Sequence, residues 1–181
     1  ATETVYSFGR QNLFPHVASE HRAAREAVAI FDQTSFSKFV LEGPDAEAIL
    51  QRLCANDVAV APGRLVYTAL LNERGGFESD LTVTRLAEDA YFIVTGTAQT
   101  TRDFHWIKQH LVEGARAVLT DVTGAFAVLG VMGPRSRELL SRVTDADVGN
   151  AAFPFATMQE IGIGQAPVRA SRITYVGELG W

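Results

Sequence analysis

The sequence predicts an α+β fold made of two related halves, each with a mainly antiparallel sheet and helices. Three observations predict it. Short alternating runs recur along the chain, separated by turn residues and by stretches with helical spacing. One pair of runs is joined by Asn72-Glu73-Arg74-Gly75-Gly76, and adjacent glycines accept the positive φ that a tight antiparallel reversal needs. A Gly-Pro step follows an apolar run and opens a helix twice, at Gly43-Pro44 and at Gly133-Pro134. At the same spacing Ile49-Leu50 matches Leu139-Leu140, Arg52 matches Arg142, and Asp57-Val58 matches Asp147-Val148. Two such halves would each bury one sheet face and could leave a shared cavity between them.

The elements follow in order. Residues 6–14 are aromatic and polar without a period and read as an arm lying across something else. Residues 17–30 read as a helix, with Val17, Ala24 and Val28 at helical spacing. Residues 37–41 alternate as a strand, and the helix after Gly43-Pro44-Asp45 carries Ile49, Leu50 and Leu53 as its apolar stripe. Strands are expected over 65–71, 77–86 and 91–95, then an aromatic-bearing helix over 101–112. Strands over 118–122 and 126–131 precede the second Gly-Pro helix, which runs to Val143. Strands over 153–161 and 168–176 complete the series.

Composition narrows the function classes. The chain has 181 residues, 47% hydrophobic and 20% charged, with a net charge of −5, which suits one domain or two small ones sharing a core. Lys38 and Lys108 are the only lysines and no basic block occurs, which argues against electrostatic nucleic-acid binding. The longest apolar run, from Ala125 to Met132, is too short to span a bilayer, and no signal segment opens the chain. The single cysteine, Cys54, excludes a disulfide framework and points to a reducing compartment such as the cytoplasm. Ala1 and Trp181 both read as cuts in a longer polypeptide.

The residues that carry chemistry gather in the hairpin over 72–85. On its second strand Phe77, Leu81 and Val83, with Ser79, point one way, and Glu78, Asp80, Thr82 and Thr84 point the other. The polar side is either a solvated sheet face or the lining of a pocket, in which Asp80 would stabilise a cationic amine or iminium or relay a proton. Glu178 sits between Gly177 and Gly180, where backbone can approach a ligand closely or simply turn. Tyr67, central in its strand, reads as core or as a ligand contact. Other chemistries are disfavoured. His16, His21, His105 and His110 lack ligand spacing, and one cysteine builds no zinc site. Cys54 lies among apolar helix positions as a packed small residue. Gly162-Ile163-Gly164 begins a dinucleotide fingerprint, but Pro167 stands where its last glycine belongs.

Four segments carry a resemblance. NERGGFESDLTVTRL, from Asn72, resembles the signature of the glycine-cleavage aminomethyltransferase (T-protein) family, and YVGELGW, from Tyr175, resembles its later Tyr-Thr-Gly-Glu-x-Gly motif. VLGVMGPRSRELL, from Val128, resembles the segment between them. The arm YSFGRQNLF with EHRAAREAVAIFD resembles the stretch that follows the flavin domain in sarcosine and dimethylglycine dehydrogenases. The resemblance implies a cloverleaf-like fold that binds tetrahydrofolate between related subdomains. It implies that residues 1–181 are a folate-binding region whose third subdomain and N-terminal FAD domain lie outside this chain. By the same resemblance Asp80 is the main catalytic acid or base near the reactive folate nitrogens, Glu178 holds the pterin ring, Tyr67 packs against the folate, and Thr82 and Thr84 contact the pterin end. Ser79 stands where the family pair has its first acid, which fits the dehydrogenase branch.

The implied function is that of a flavin-dependent sarcosine or dimethylglycine dehydrogenase. The flavin domain would oxidise an N-methyl amine to an iminium, and folate would capture its one-carbon unit as 5,10-methylenetetrahydrofolate. The partners are then folate, the N-methyl amine and the chain's own flavin domain, with neither nucleic acid nor membrane. The alternatives are a stand-alone aminomethyltransferase and a non-catalytic folate-binding accessory protein.

Overall fold

The structure is a computed structural model that describes residues 3–175 and 177–181. Its largest unit is an antiparallel sheet in which β2 (Ser37–Glu42), β3 (Leu65–Leu71), β4 (Phe77–Ala87), β5 (Ala90–Thr95) and β6 (Val118–Asp121) lie in the order β3-β4-β5-β2-β6. Alternation sorts their side chains. Phe39, Leu41, Leu81, Val83, Tyr91 and Ile93 bury one face against Ile49, Leu50 and Leu53 of α2 (Ala46–Leu53) and Ile107 of α3 (Thr100–Gln109). Each such apolar side chain contributes roughly 1.5–3 kcal/mol when fully buried. The opposite face stays partly open, and it carries the polar residues of β4.

The hairpin between β3 and β4 shows why its sequence is so marked. The Asn72 side-chain oxygen accepts from the backbone N–H groups of Arg74 (3.0 Å) and Gly76 (2.8 Å), while its amide nitrogen donates to Glu78 (2.7 Å). Gly75 takes φ 74°, and a Cβ on Gly76 would lie 2.7 Å from the Asn72 amide. Asparagine and both glycines are therefore parts of one turn. A register shift follows, with Leu70 opposite Ser79 but Leu71 opposite Phe77. This bulge breaks strict alternation, and Phe77 is exposed rather than in the core expected for it.

The second unit holds β1 (Ala29–Asp32) against β7 (Leu129–Met132), and β8 (Thr157–Ile163) against β9 (Ala166–Arg172), each pair antiparallel, with the short α4 (Ser136–Leu140). Its core is Leu140, Val148, Phe153 and Trp181, and the guanidinium groups of Arg137 and Arg172 each lie 5.6 Å from the Trp181 ring. The helix α1 (Phe14–Glu26) precedes it with no buried residue. No helix among the described residues is long and apolar enough to cross a membrane.

The internal repeat expected from the two Gly-Pro steps is present in detail, through an exchange of strands. β1 runs toward β2 in sequence but pairs with β7, and β6 runs toward β7 but pairs with β2. The crossover bonds match in both halves. Lys38 N–H donates to the Thr123 hydroxyl oxygen (3.0 Å) and Val128 N–H to that of Thr34 (3.2 Å). The Val122 N–H donates to the Lys38 carbonyl (2.9 Å), and the Gln33 N–H to the Val128 carbonyl (2.8 Å). Asp32 and Asp121 each accept from the N–H two residues on, at 2.9 and 2.8 Å. Gly43 and Gly133 occupy equivalent places at φ 133° and 127°, each against backbone leading into the exchanged strand.

Several boundaries differ from expectation. Residues 29–30 belong to β1 rather than to a helix, because the run Ala29-Ile30-Phe31 finds a pairing partner in β7. α4 is shorter than expected, and residues 141–143 continue only as turns. β8 begins at Thr157 and β9 ends at Arg172, while Val176, placed in that last strand by sequence, lies outside the described residues.

Candidate functional site

The open face of the five-stranded sheet brings together three of the five residues singled out by sequence. Tyr67 on β3 sits opposite Thr82 on β4, which makes Asp80 its diagonal neighbour on the same face. The Tyr67 hydroxyl donates to Asp80 Oδ2 at 2.6 Å. Tyr67 is 56% exposed, so this strand-centre tyrosine faces outward rather than into the core. Its phenol is held above the usual tyrosine value, first by that hydrogen bond and then by partial burial and the nearby charge of Asp80. An oriented carboxylate, a phenol and a hydroxyl thus share one accessible surface, which can meet a cation and accept or return a proton.

Glu78, the other acid of this strand, is engaged elsewhere. Asn72 and Arg102 both bond to it, and together they hold its carboxyl below the usual carboxylate range. Thr84 is the least available of the set, at 3% exposed. It lies opposite Phe92, and Arg169 of β9 reaches over Phe92 (5.5 Å) and Phe126 (5.2 Å). That end of the face is roofed, and the Tyr67–Asp80 end is open.

Glu178 is half-buried in the segment after β9, next to Gly177 at φ 93°. The far end of this segment is tied to β7. Gly133 N–H donates to the Leu179 carbonyl (2.8 Å), and Val131 and Trp181 exchange backbone bonds at 2.8 and 3.1 Å. Glu178 thus lies on a segment tied to the second unit, separate from the strands that carry Tyr67, Asp80 and Thr82.

One residue of the site region escaped the sequence reading. Asp103, in the first turn of α3, is 1% exposed and accepts from Ser79 at 2.8 Å and from Thr95. The signal was available. Asp103 shares a helix face with the fully buried Ile107, so a carboxylate falls on the apolar stripe.

The face suits a flat polar heterocycle such as a pterin, since Tyr67, Val94 and Ala69 offer apolar surface and Asp80 and Thr82 offer polar contacts. The partial dinucleotide fingerprint has a different context here. Gly162-Ile163-Gly164 turns from β8 into β9 rather than opening a helix, so it offers no helix N-terminus to a pyrophosphate. Among the described residues, no cluster of three His, Cys, Asp or Glu side chains is placed to hold a metal ion.

Comparison with known proteins agrees with this fold. The profile of the GCVT N-terminal domain family matches residues 2–181. The chain is 40% identical over 176 residues to 4-methylaminobutanoate oxidase (formaldehyde-forming) of Paenarthrobacter nicotinovorans, covering 97% of this chain and 21% of that protein. It is 40% identical over 184 residues to mitochondrial sarcosine dehydrogenase of Mus musculus, covering 92% of this chain and 20% of that one. The chain thus spans about a fifth of the length of these curated relatives. Among solved structures, the glycine cleavage system aminomethyltransferase T from Bartonella henselae superimposes with a TM-score of 0.78 at 26% identity, over 98% of this chain and 48% of that one. The α+β architecture of related halves is the aminomethyltransferase T fold, and the chain belongs to the GCVT N-terminal domain family.

Proposed function

We propose that this chain is the tetrahydrofolate-binding region of a flavin-dependent N-methyl amine dehydrogenase of the sarcosine or dimethylglycine type. The observation that carries the reading is the Tyr67–Asp80 pair on an open sheet face. Two relatives at 40% identity are named for the oxidation of N-methyl amines, which supports an oxidoreductase context. In this reading residues 1–181 are one region of a longer enzyme, and a third subdomain and an N-terminal FAD domain lie outside them. The compartment is a reducing one such as the cytoplasm, in keeping with the single buried thiol of Cys54.

Bound at this face, tetrahydrofolate supplies the nitrogens that take up the one-carbon unit as 5,10-methylenetetrahydrofolate. Asp80 faces the cationic one-carbon unit delivered by amine oxidation, and its negative charge stabilises that cation. Tyr67 donates to Asp80 and keeps one carboxylate oxygen fixed, which leaves the other to receive a proton. Glu178 accepts from the ring donors of the pterin, with Tyr67 and Thr82 along its edge; Thr84, expected there from the resemblance, is 3% exposed and does not line the open part of the face. Enclosure matters because a free iminium hydrolyses in water to formaldehyde. The superposition on aminomethyltransferase T favours one second reading, a stand-alone aminomethyltransferase.

The test is Asp80→Asn in the full-length protein, with amine and folate varied separately. Amine oxidation should continue while methylene transfer to folate falls and formaldehyde release rises. Glu178→Ala should instead weaken folate binding, because pterin donors lose an acceptor. The isolated chain should bind no flavin and oxidise no amine. Unchanged folate coupling in Asp80→Asn would reduce this sheet face to solvated surface.

A further inference from the structure

Behind the Tyr67–Asp80 pair lies a carboxylate that the proposed chemistry does not use. Asp103 is 1% exposed, and its Oδ2 accepts from the Ser79 hydroxyl at 2.8 Å and from the Thr95 hydroxyl. Both donors are themselves 3% exposed. A carboxylate in such a place is costly unless its hydrogen bonds are made, and an apolar side chain on this helix face would pack at lower cost. Simple core filling therefore does not account for it.

The placement of its partners does. Ser79 immediately precedes Asp80 on β4, and Thr95 on β5 is the register partner of Leu81, which immediately follows Asp80. One oxygen thus grips two strands at positions that flank Asp80. The Thr95 hydroxyl oxygen also lies 3.4 Å from the Asp80 carbonyl oxygen. The grip sits beside the bulge where the β3–β4 register shifts, so the strand here has an alternative course to slip into. Side chains alternate across a strand, and residues held inward at 79 and opposite 81 set the direction in which residue 80 projects outward.

We propose that Asp103 is a positioning residue, which clamps β4 to β5 from the buried face through Ser79 and Thr95 and so aims Asp80 at Tyr67 and at the ligand. The inference rests on the reading of Asp80 as the functional carboxylate of this face. The clamp needs one carboxylate and hydroxyls to share it, and the carboxylate can be supplied from either side of the Ser79–Asp103 contact.

The experiment uses Asp103→Ser, Ser79→Asp and the exchanged double variant Ser79→Asp with Asp103→Ser, made in this chain and in the full-length protein. The first readout is the titration of Tyr67, followed by NMR of ring-labelled tyrosine and assigned with Tyr67→Phe. Tyr67 reports its contact with Asp80, while the buried Tyr91, pushed up to about 12 mainly by burial, reports an intact core. In Asp103→Ser the Tyr67 titration should fall toward the ordinary tyrosine value of about 10, with Tyr91 unmoved. The exchanged double variant should restore it, and Asp80→Asn should lower it as a positive control. If Asp103→Ser does not fold, Asp103→Asn keeps an acceptor oxygen and should preserve the Tyr67 titration where Asp103→Leu does not. A Tyr67 titration unchanged in folded Asp103→Ser, or not restored in a folded double variant, overturns the clamp. Tetrahydrofolate affinity of the full-length protein is the second readout, expected to drop about tenfold in Asp103→Ser and to recover in the double variant. Absent folate binding in the wild type, with Tyr67 responding as described, would sink the folate reading and leave the clamp standing.

Discussion

Gly43→Ala should be among the most damaging small substitutions in this chain. Gly43 has φ 133°, and a Cβ there would lie 2.2 Å from the Arg116 carbonyl oxygen and 2.8 Å from the Ala117 Cα. Both obstacles are backbone, so neither can rotate away. Arg116 is also held in place, since its N–H donates to Asp45 at 2.8 Å and its guanidinium pairs with Asp45 at 2.9 Å. An L-residue at such a φ costs about 1–3 kcal/mol, and forcing the contact open costs about 1–3 kcal/mol more. The sum, about 2–6 kcal/mol, is a large part of the roughly 5–15 kcal/mol that holds an ordinary domain. Two comparators calibrate it. Gly75→Ala has φ 74° but open space around it and should lose about 1 kcal/mol; Gly124→Ala has neither constraint and should stay within about 0.5 kcal/mol of wild type. Urea denaturation reads the difference. At a slope of about 2 kcal/mol per molar, a loss of 3 kcal/mol moves the midpoint down by about 1.5 M. A Gly43→Ala midpoint close to that of Gly124→Ala would refute the steric argument, and with it the claim that this glycine is required by the strand exchange.

The remaining predictions concern the core and the hairpin. The Cys54 thiol, pushed up to about 12 by burial, should resist thiol reagents until the chain unfolds. Because its folded value lies above the unfolded one, its contribution to stability is intact below pH ~9 and is lost at about 1.4 kcal/mol per pH unit as pH rises toward the folded value. Cys54→Ala should remove that part of the alkaline loss in urea titrations across pH 8–11, and an identical pH profile would count against burial as the cause. Asn72→Ala removes the acceptor for two backbone N–H groups and the donor to Glu78, and should cost about 2 kcal/mol. Hydrogen exchange should then show loss of protection confined to the hairpin over 72–80, and protection equal to wild type there would show that the glycines alone make the turn.

Much of the first unit could be read from sequence because local signals coincide with tertiary ones there. The β3 run 65–71 is bounded by turn residues and matches its observed limits, and α2 carries its stripe of Ile49, Leu50 and Leu53 into the core as expected. Asp80, Thr82 and Tyr67 fall on one face because pleat and register follow from the Asn72–Gly76 turn. The failures occur where distant chain decides the outcome. Residues 29–30 have a helical segment before them and become strand only because β7 arrives from elsewhere in the sequence. Phe77 is exposed because of a bulge that a two-residue period cannot report. Thr84 is buried at the end of the face where Arg169, far away in sequence, lies over its register partner Phe92. Asp103 is marked in the sequence by its place on the apolar stripe of α3, but its partners Ser79 and Thr95 come from distant strands.

The site arises where the repeat departs from itself. Both halves share the exchanged strand, the Asp-x-Thr crossover and the positive-φ glycine. In the first half three further strands extend the sheet and create an open face; in the second the segment ending at Trp181 pairs along β7 instead. The crossover itself is uneven. Lys38 is fully buried at the place that Val128 takes in the other half, and its ammonium donates to the carbonyls of Thr34 and Phe126, both at 2.8 Å. Those two carbonyls belong to the loops that leave the exchanged strands β1 and β6, so one side chain ties both crossings together. Lys38 also shares a face with Val94 and Thr82 through the sheet register. The lysine that fastens the halves therefore sits on the same face as the Asp80–Tyr67 pair, and displacement of one half against the other would be felt along that face.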